Sequence, residues 1–134
     1  MKSVFIDTNI LIDLLANREP FHKYALQLFS KAEKKQIKIY CSSHSIATSY
    51  YILKKYSEEK PLRELINGLF DFVTVLPVDL DILKKSLQSK YKDFEDAIQI
   101  NCALSIKIDC IITRNIKDFK GCPIEVIAPD QFVA

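Results

Sequence analysis

The chain has 134 residues, of which 49% are hydrophobic, 27% are charged and two are glycine, and its formal net charge is +2. This length suits one domain with its own core, and the composition excludes a low-complexity or linker-rich chain. A net charge this small does not by itself indicate nucleic-acid binding. The N-terminal apolar stretch is too short for a signal peptide and no segment is long enough to span a membrane, so we expect a single domain over residues 1–134 in the cytoplasm.

Helical and strand-like hydrophobic periods alternate along the chain. In chain order they predict a strand at 4–6, helices at 9–15 and 20–35, a strand at 37–41, a helix through 50–54, a helix at 61–72, a strand at 72–76, helices at 80–87 and 94–107, and strands at 110–113 and 124–127. Helix N-caps are expected at Ser42 or Ser43, at Asp79 and at Asp93. Strands separated by helices indicate βαβ units with parallel pairing. We therefore predict an α/β fold, a three-layer α/β/α domain with a central, mainly parallel sheet.

The cysteines do not form a metal-binding or disulfide motif. There is no Cys-x-x-Cys pair among Cys41, Cys102, Cys110 and Cys122, and His22 and His44 are not spaced to complete a zinc site with them. Three of the four lie in or beside apolar runs, as small buried residues do. Free thiols in a reducing compartment are therefore predicted.

Acidic and polar side chains recur where predicted strands end or helices begin, in three segments far apart in sequence. The segments are Asp7 with Thr8 and Asn9, then Asp93 with Glu95 and Asp96, then Thr113 with Asn115 and Asp118. In an open α/β sheet, ligands bind outside the carboxyl ends of the strands. The three segments would therefore line a pocket with oxygen atoms, as a hard divalent cation requires. This pattern predicts metal-dependent phosphodiester chemistry.

Each segment also has a purely structural explanation. Asp7 and Thr8 could simply cap the following helix, acidic residues are common in the first turn of any helix, and Asn115 and Asp118 could stabilise a turn. Against this stands the apolar stretch 97–104, which buries the helix that Asp93 and Asp96 open. Two carboxylates in such a place repel each other unless a cation or a shared proton relieves them.

The three segments, in this order and spacing, resemble the PIN domain family, and more narrowly the toxin-like PIN ribonucleases of bacterial and archaeal toxin-antitoxin modules. The matching stretches are 4–13, 93–99, 111–119 and 123–129, so the resemblance covers essentially the whole chain. It implies a Mg²⁺- or Mn²⁺-dependent endoribonuclease that hydrolyses RNA through a metal-bound water. It also implies a small antitoxin protein as partner and a tendency to form homodimers.

The resemblance assigns roles by position. Asp7 and Asp96 match metal-binding residues, Asp93 is an additional acidic neighbour, and Asn115 lies where the family has Asp or Asn. These four form the expected catalytic set, and the expected supporting residues are Thr8, Asn9, Thr48, Thr113 and Asp118. By their place in the sequence, Lys54, Lys90, Lys92, Arg114 and Lys117 could flank the pocket and hold an RNA backbone.

One position departs from the family pattern. Many members carry a Glu on the helix after the second strand, where this chain has Thr48. A hydroxyl has no charge and is a poorer ligand than a carboxylate, so we expect weaker metal binding unless Asp93 supplies the missing charge.

Two functions therefore stay open: the ribonuclease, and a catalytically weak PIN module that binds RNA or a protein without cleavage. A haloacid-type phosphatase also has an Asp after its first strand, but it needs a second Asp where this chain has Asn9.

Overall fold

The computed structural model describes all residues 1–134 and contains five strands and seven α-helices. The strands are β1 (Lys2–Ile6), β2 (Ile37–Ser42), β3 (Val73–Leu76), β4 (Cys110–Ile112) and β5 (Glu125–Ile127). The helices are α1 (Thr8–Leu15), α2 (His22–Glu33), α3 (Ser43–Leu53), α4 (Glu59–Leu69), α5 (Leu80–Gln88), α6 (Phe94–Leu104) and α7 (Pro129–Val133), with a 3₁₀ helix at Ile116–Phe119. None of the helices combines the length and apolar character needed to cross a membrane.

All strand pairs in the sheet are parallel, and the strand order is β3-β2-β1-β4-β5. Phe5 in β1 lies opposite Tyr40 on one side and Ile111 on the other. Because β1 is central and covered on both faces, its residues 4–6 form a continuous apolar run rather than an alternating pattern. The predicted three-layer α/β/α fold with a parallel central sheet is confirmed.

Two apolar layers hold the helices on opposite faces of the sheet. On one face Val4 and Ile6 pack with residues of α1 and α2 such as Leu28. On the other face Phe5 and Ile111 pack with residues of α5 and α6. All four cysteines are free thiols, as predicted.

Two short helices were not predicted from the sequence. The 3₁₀ helix is anchored by Phe119, which is 2% exposed, and α7 packs Phe132 and Val133 against the layer that contains α1 and α2. Elements of four or five residues are too short to show a helical period. The helix predicted to reach residue 107 ends at Leu104, where the Ser105 hydroxyl donates a hydrogen bond to the carbonyl of Cys102 (2.6 Å).

The sheet topology reverses beside β1. The chain moves from β1 outward to β2 and β3, and then returns to β4 on the other side of β1. Such a switch point opens a crevice at the carboxyl ends of the two central strands. Asp7 follows β1 and Thr113 follows β4 at this edge, so two of the three polar segments meet there.

Candidate active site

Asp7 is held rigidly at the switch point. Its side chain is 5% exposed, and it accepts hydrogen bonds from the Thr113 hydroxyl (2.8 Å) and from the backbone N–H of Thr8 (2.8 Å). Burial raises the pKa of the Asp7 carboxyl above its ordinary value, although the hydrogen bonds oppose the shift. Asp7 therefore caps α1, which was the alternative role considered from the sequence. It also presents a fixed carboxylate at the sheet edge.

A buried polar network surrounds Asp7. The Gln99 side-chain nitrogen Nε2 lies 2.9 Å from the Thr8 hydroxyl, 2.6 Å from the Ser45 hydroxyl and 3.5 Å from Asp7 Oδ1. Gln99 is 2% exposed, and its other amide atom, Oε1, is buried without a hydrogen-bond partner. No role for Gln99 or Ser45 is predicted from the sequence. The only signal was a polar residue inside the apolar stretch of α6.

The start of α6 carries the second acidic group. Asp93 is the N-cap, and its carboxylate accepts a hydrogen bond from the backbone N–H of Asp96 (3.1 Å). The pKa of Asp96 is raised to about 7, first by burial and then by the negative charges of its acidic neighbours, which are Asp93, Asp7 and Asp118. The Asp96 carboxyl thus lies where several carboxylates repel one another, a situation that a bound cation relieves.

Two recesses meet at Asp96. The smaller, which we name the inner cavity, measures about 150 Å³ and is lined by six of the predicted site residues: Asp7, Thr8, Asn9, Thr48, Asp96 and Asn115. His44, Glu95 and Gln99 also line it. The larger, which we name the lysine cleft, measures about 770 Å³ and is lined by the predicted residues Lys92, Asp93, Asp96, Lys117 and Asp118. Lys90 and Lys120 complete its basic lining.

Arg114 and Lys54 line neither recess. The Arg114 guanidinium donates to both carboxylate oxygens of Asp13 (2.8 and 3.2 Å) and stacks 3.8 Å from the ring centre of Phe21. The Lys54 ammonium lies over the ring of Tyr51 on α3. Each of these side chains contacts a partner outside the two recesses, and a role of either residue in holding RNA stays a prediction.

The donor set of the inner cavity suits a divalent cation. No three His, Cys, Asp or Glu side chains of the chain lie close enough to share one ion. Asp7 and Asp96 nevertheless offer two carboxylates, and Gln99, which lines the same cavity, carries a neutral oxygen, Oε1, without a hydrogen-bond partner. Mg²⁺ is commonly bound through one or two carboxylates while it retains several waters. The residues therefore fit a hard cation of this kind.

Comparison with known proteins identifies the family. A family model described as PIN domain matches residues 3–117, which include β1, α6 and the strand β4 with their polar termini. The chain belongs to the PIN domain family. The resemblance read from the sequence is confirmed.

The relatives of this PIN domain include toxin proteins. It is 28% identical to Ribonuclease VapC1 of Aquifex aeolicus, over 98% of this chain and 93% of that protein. It is 30% identical to a chain of a toxin-antitoxin complex from Klebsiella pneumoniae, with a TM-score of 0.65 and coverage of 94% and 97%. A structure of VapBC2 from Rickettsia felis, bound to a DNA fragment from its promoter, shares the fold with a TM-score of 0.70 at 16% identity, covering 94% and 98%.

Proposed function

We propose that this PIN domain is a divalent-metal-dependent endoribonuclease and the toxin of a toxin-antitoxin pair. The observation that carries the proposal is the pair of carboxylates, Asp7 and Asp96, on one small oxygen-lined cavity at the switch point of the sheet. Mutual repulsion at Asp96 favours a cation there, and Mg²⁺ or Mn²⁺ suits the oxygen donors. A relative named as a ribonuclease and a 30% identical chain from a toxin-antitoxin complex support the same assignment.

The proposed reaction is hydrolysis of one phosphodiester bond. Water adds across a P–O bond of the RNA, so that one fragment ends in a phosphate and the other in a hydroxyl. A divalent cation in the inner cavity would polarise the scissile phosphate and lower the pKa of the attacking water. The chain's own residues position it: Asp7 is oriented by Thr113 and Thr8, while Asp96 presents the second carboxylate. The Asn115 amide lines the same cavity and can donate a hydrogen bond to a phosphate oxygen.

We propose that the lysine cleft holds the RNA backbone beside the inner cavity. None of its four lysines takes part in an ion pair, so their charges are available to phosphates. Three carboxylates, Asp93, Asp96 and Asp118, line the same cleft. An acidic protein segment would meet repulsion from them, whereas an RNA phosphate can be bridged to them by a divalent cation. This arrangement favours RNA as the occupant.

A charge-matched pair of variants tests the cleft. Lys92→Gln with Lys117→Gln, in an Asp96→Asn background that does not cleave, is expected to weaken RNA binding and to lower its salt dependence by about 0.7 per lost phosphate contact. Lys34 and Lys107 are exposed just before β2 and β4, at the opposite edge of the sheet, so their Gln variants are the control. Equal binding by both double variants would refute the cleft assignment.

We propose that the antitoxin occupies a separate apolar groove of about 610 Å³ between α1, α2 and α4. Leu26 and Leu65 are each 49% exposed there, and Glu33 and Glu64 lie in the same groove. These features suit a partner segment with apolar and basic side chains. If a small protein is encoded beside the gene of this chain, Leu65→Asp should abolish their co-purification, while Leu87→Asp, at an exposed leucine of α5, should not. Dimerisation stays a prediction, tested by the mass in solution.

Cleavage of structured RNAs with Mg²⁺, Mn²⁺ or EDTA tests the function directly. We expect metal-dependent cutting by the wild type, loss of cutting in Asp96→Asn, and no loss in Asp130→Asn, which changes an exposed first-turn Asp of α7. The second candidate, a binding module without cleavage, is favoured by one observation: α3 contributes Thr48 and no carboxylate to the inner cavity. RNA binding without metal-dependent cutting would establish that alternative.

A further inference from the structure

The two helices beside the inner cavity contribute unequal charge. From α3 come His44 and Thr48, neither of which is a carboxylate, whereas α6 contributes Glu95, Asp96 and Gln99. Asp93 was expected from the sequence to supply the negative charge that Thr48 lacks. It lines the lysine cleft but not the inner cavity. Its carboxylate is occupied as the N-cap of α6. The extra carboxylate at the inner cavity is therefore Glu95.

The geometry of α6 directs Glu95 to this position. Glu95 and Gln99 are four residues apart, so their side chains lie one above the other on the same face of the helix. Gln99 is fixed below by its contacts with Thr8 and Ser45. Glu95 lies at the exposed rim and makes no hydrogen bond or ion pair. Its side chain can therefore turn toward the cavity without breaking an existing contact.

A second observation points to a ligand in the cavity. The Oε1 atom of Gln99 is buried and has no donor, although its Nε2 atom is surrounded by three oxygens. A buried acceptor without a donor is rare in proteins and usually indicates an ion or water that completes the site. Gln99, which carries this unpaired neutral oxygen, lines the cavity together with Glu95.

We propose that Glu95 is the third carboxylate of the cation site, acting from α6 in place of the carboxylate that Thr48 lacks on α3. The inference rests on the proposed function and specifies how this chain assembles its site. Asp7, Asp96 and Glu95 together carry three negative charges against the two positive charges of the cation. Glu95 must rotate inward to take part, because no three acidic side chains lie within sharing distance in the structure.

The experiment measures Mn²⁺ binding to the purified protein by titration of the free ion, independently of cleavage. Glu95→Gln is expected to weaken binding about tenfold, because cation affinity follows the number of charged ligands. The matched control is Glu125→Gln, which makes the same change at an exposed position at the start of β5, at the opposite edge of the sheet, and should change binding by less than about threefold. Adding Thr48→Glu to Glu95→Gln should restore affinity, which a folding defect would not allow.

The outcomes separate the two proposals. Binding by Glu95→Gln equal to wild type, or an equal loss in Glu125→Gln, would overturn the role of Glu95 while leaving the metal-dependent ribonuclease intact. Failure of Thr48→Glu to rescue would also count against it. Absence of Mn²⁺ binding by the wild type would remove both the cation site and the proposed metal-dependent function. Thermal unfolding of each variant verifies that the measured protein is folded.

Discussion

Replacing Asp13 by Asn should destabilise the protein far more than a surface substitution. Asp13 is 1% exposed, forms an ion pair with Arg18 (3.1 Å) and accepts hydrogen bonds from Arg114 (2.8 and 3.2 Å). Breaking a buried ion pair costs about 3–5 kcal/mol of unfolding free energy. The two arginine side chains are 45% and 21% exposed and can regain water, and Asn keeps one acceptor oxygen. We therefore expect a loss of about 2–3 kcal/mol.

Urea unfolding followed by circular dichroism measures this loss, since the chain has no tryptophan. A double-mutant cycle with Arg114→Gln should give a coupling of about 1–3 kcal/mol. The matched control is the exposed pair Asp81–Lys85 at 2.9 Å, for which a cycle should give at most about 0.5 kcal/mol. Equal coupling in the two cycles would refute the structural role of Arg114. Weaker RNA binding by Arg114→Gln at unchanged stability would return that residue to the RNA-binding set.

Three further predictions follow from the site and the core. Because the pKa of Asp96 is raised to about 7 from an ordinary 3.8, the folded state holds the proton more tightly than the unfolded state, and stability falls as pH rises from about 4 to about 7. At pH 8 with EDTA, Asp96→Asn should therefore be more stable than wild type by about 1–2 kcal/mol, after allowance for solvent screening. At pH 4 this difference in stability should disappear. A difference in urea midpoint that does not change with pH would contradict the prediction. Thr113→Val, which removes the hydroxyl donor to Asp7, should weaken Mn²⁺ binding about tenfold with little change in fold, and unchanged binding would show that Asp7 needs no such support. A thiol reagent at pH 8 should modify the partly exposed Cys122 first. The other three cysteines should react only in denaturant, because they are buried and burial raises the thiol pKa to about 12 for Cys41 and to about 11 for Cys102 and Cys110.

The sequence was most informative where a structure depends on neighbouring residues. All three predicted N-caps are found: Ser42 accepts from the N–H of Ser45, Asp79 from that of Ile82, and Asp93 from that of Asp96. A cap joins groups three residues apart, so it can be read locally. The apolar run of β1 likewise indicated a strand covered on both faces.

The candidate site was only partly accessible to such reasoning. The rule that ligands bind at strand carboxyl ends brought Asp7 and Asp96 to one edge, and both line the inner cavity. The same rule included Glu95 only as a member of the acidic segment around Asp96, without a role of its own, and it could not find Gln99 or Ser45. The face of α6 that is directed toward α3 depends on how α6 packs, and that packing involves residues distant in sequence.

Sequence by itself therefore determined the order of elements, the parallel sheet, the caps and the family. Tertiary structure alone decided where the long polar side chains point. Arg114 binds Asp13, which is 101 residues away in the chain, and this contact holds the Arg114 side chain outside the pocket that the sequence predicts it to flank. The physical reason is that a flexible charged side chain turns to whichever distant partner the fold brings within reach, whereas backbone conformation and caps follow mainly from residues close in the chain.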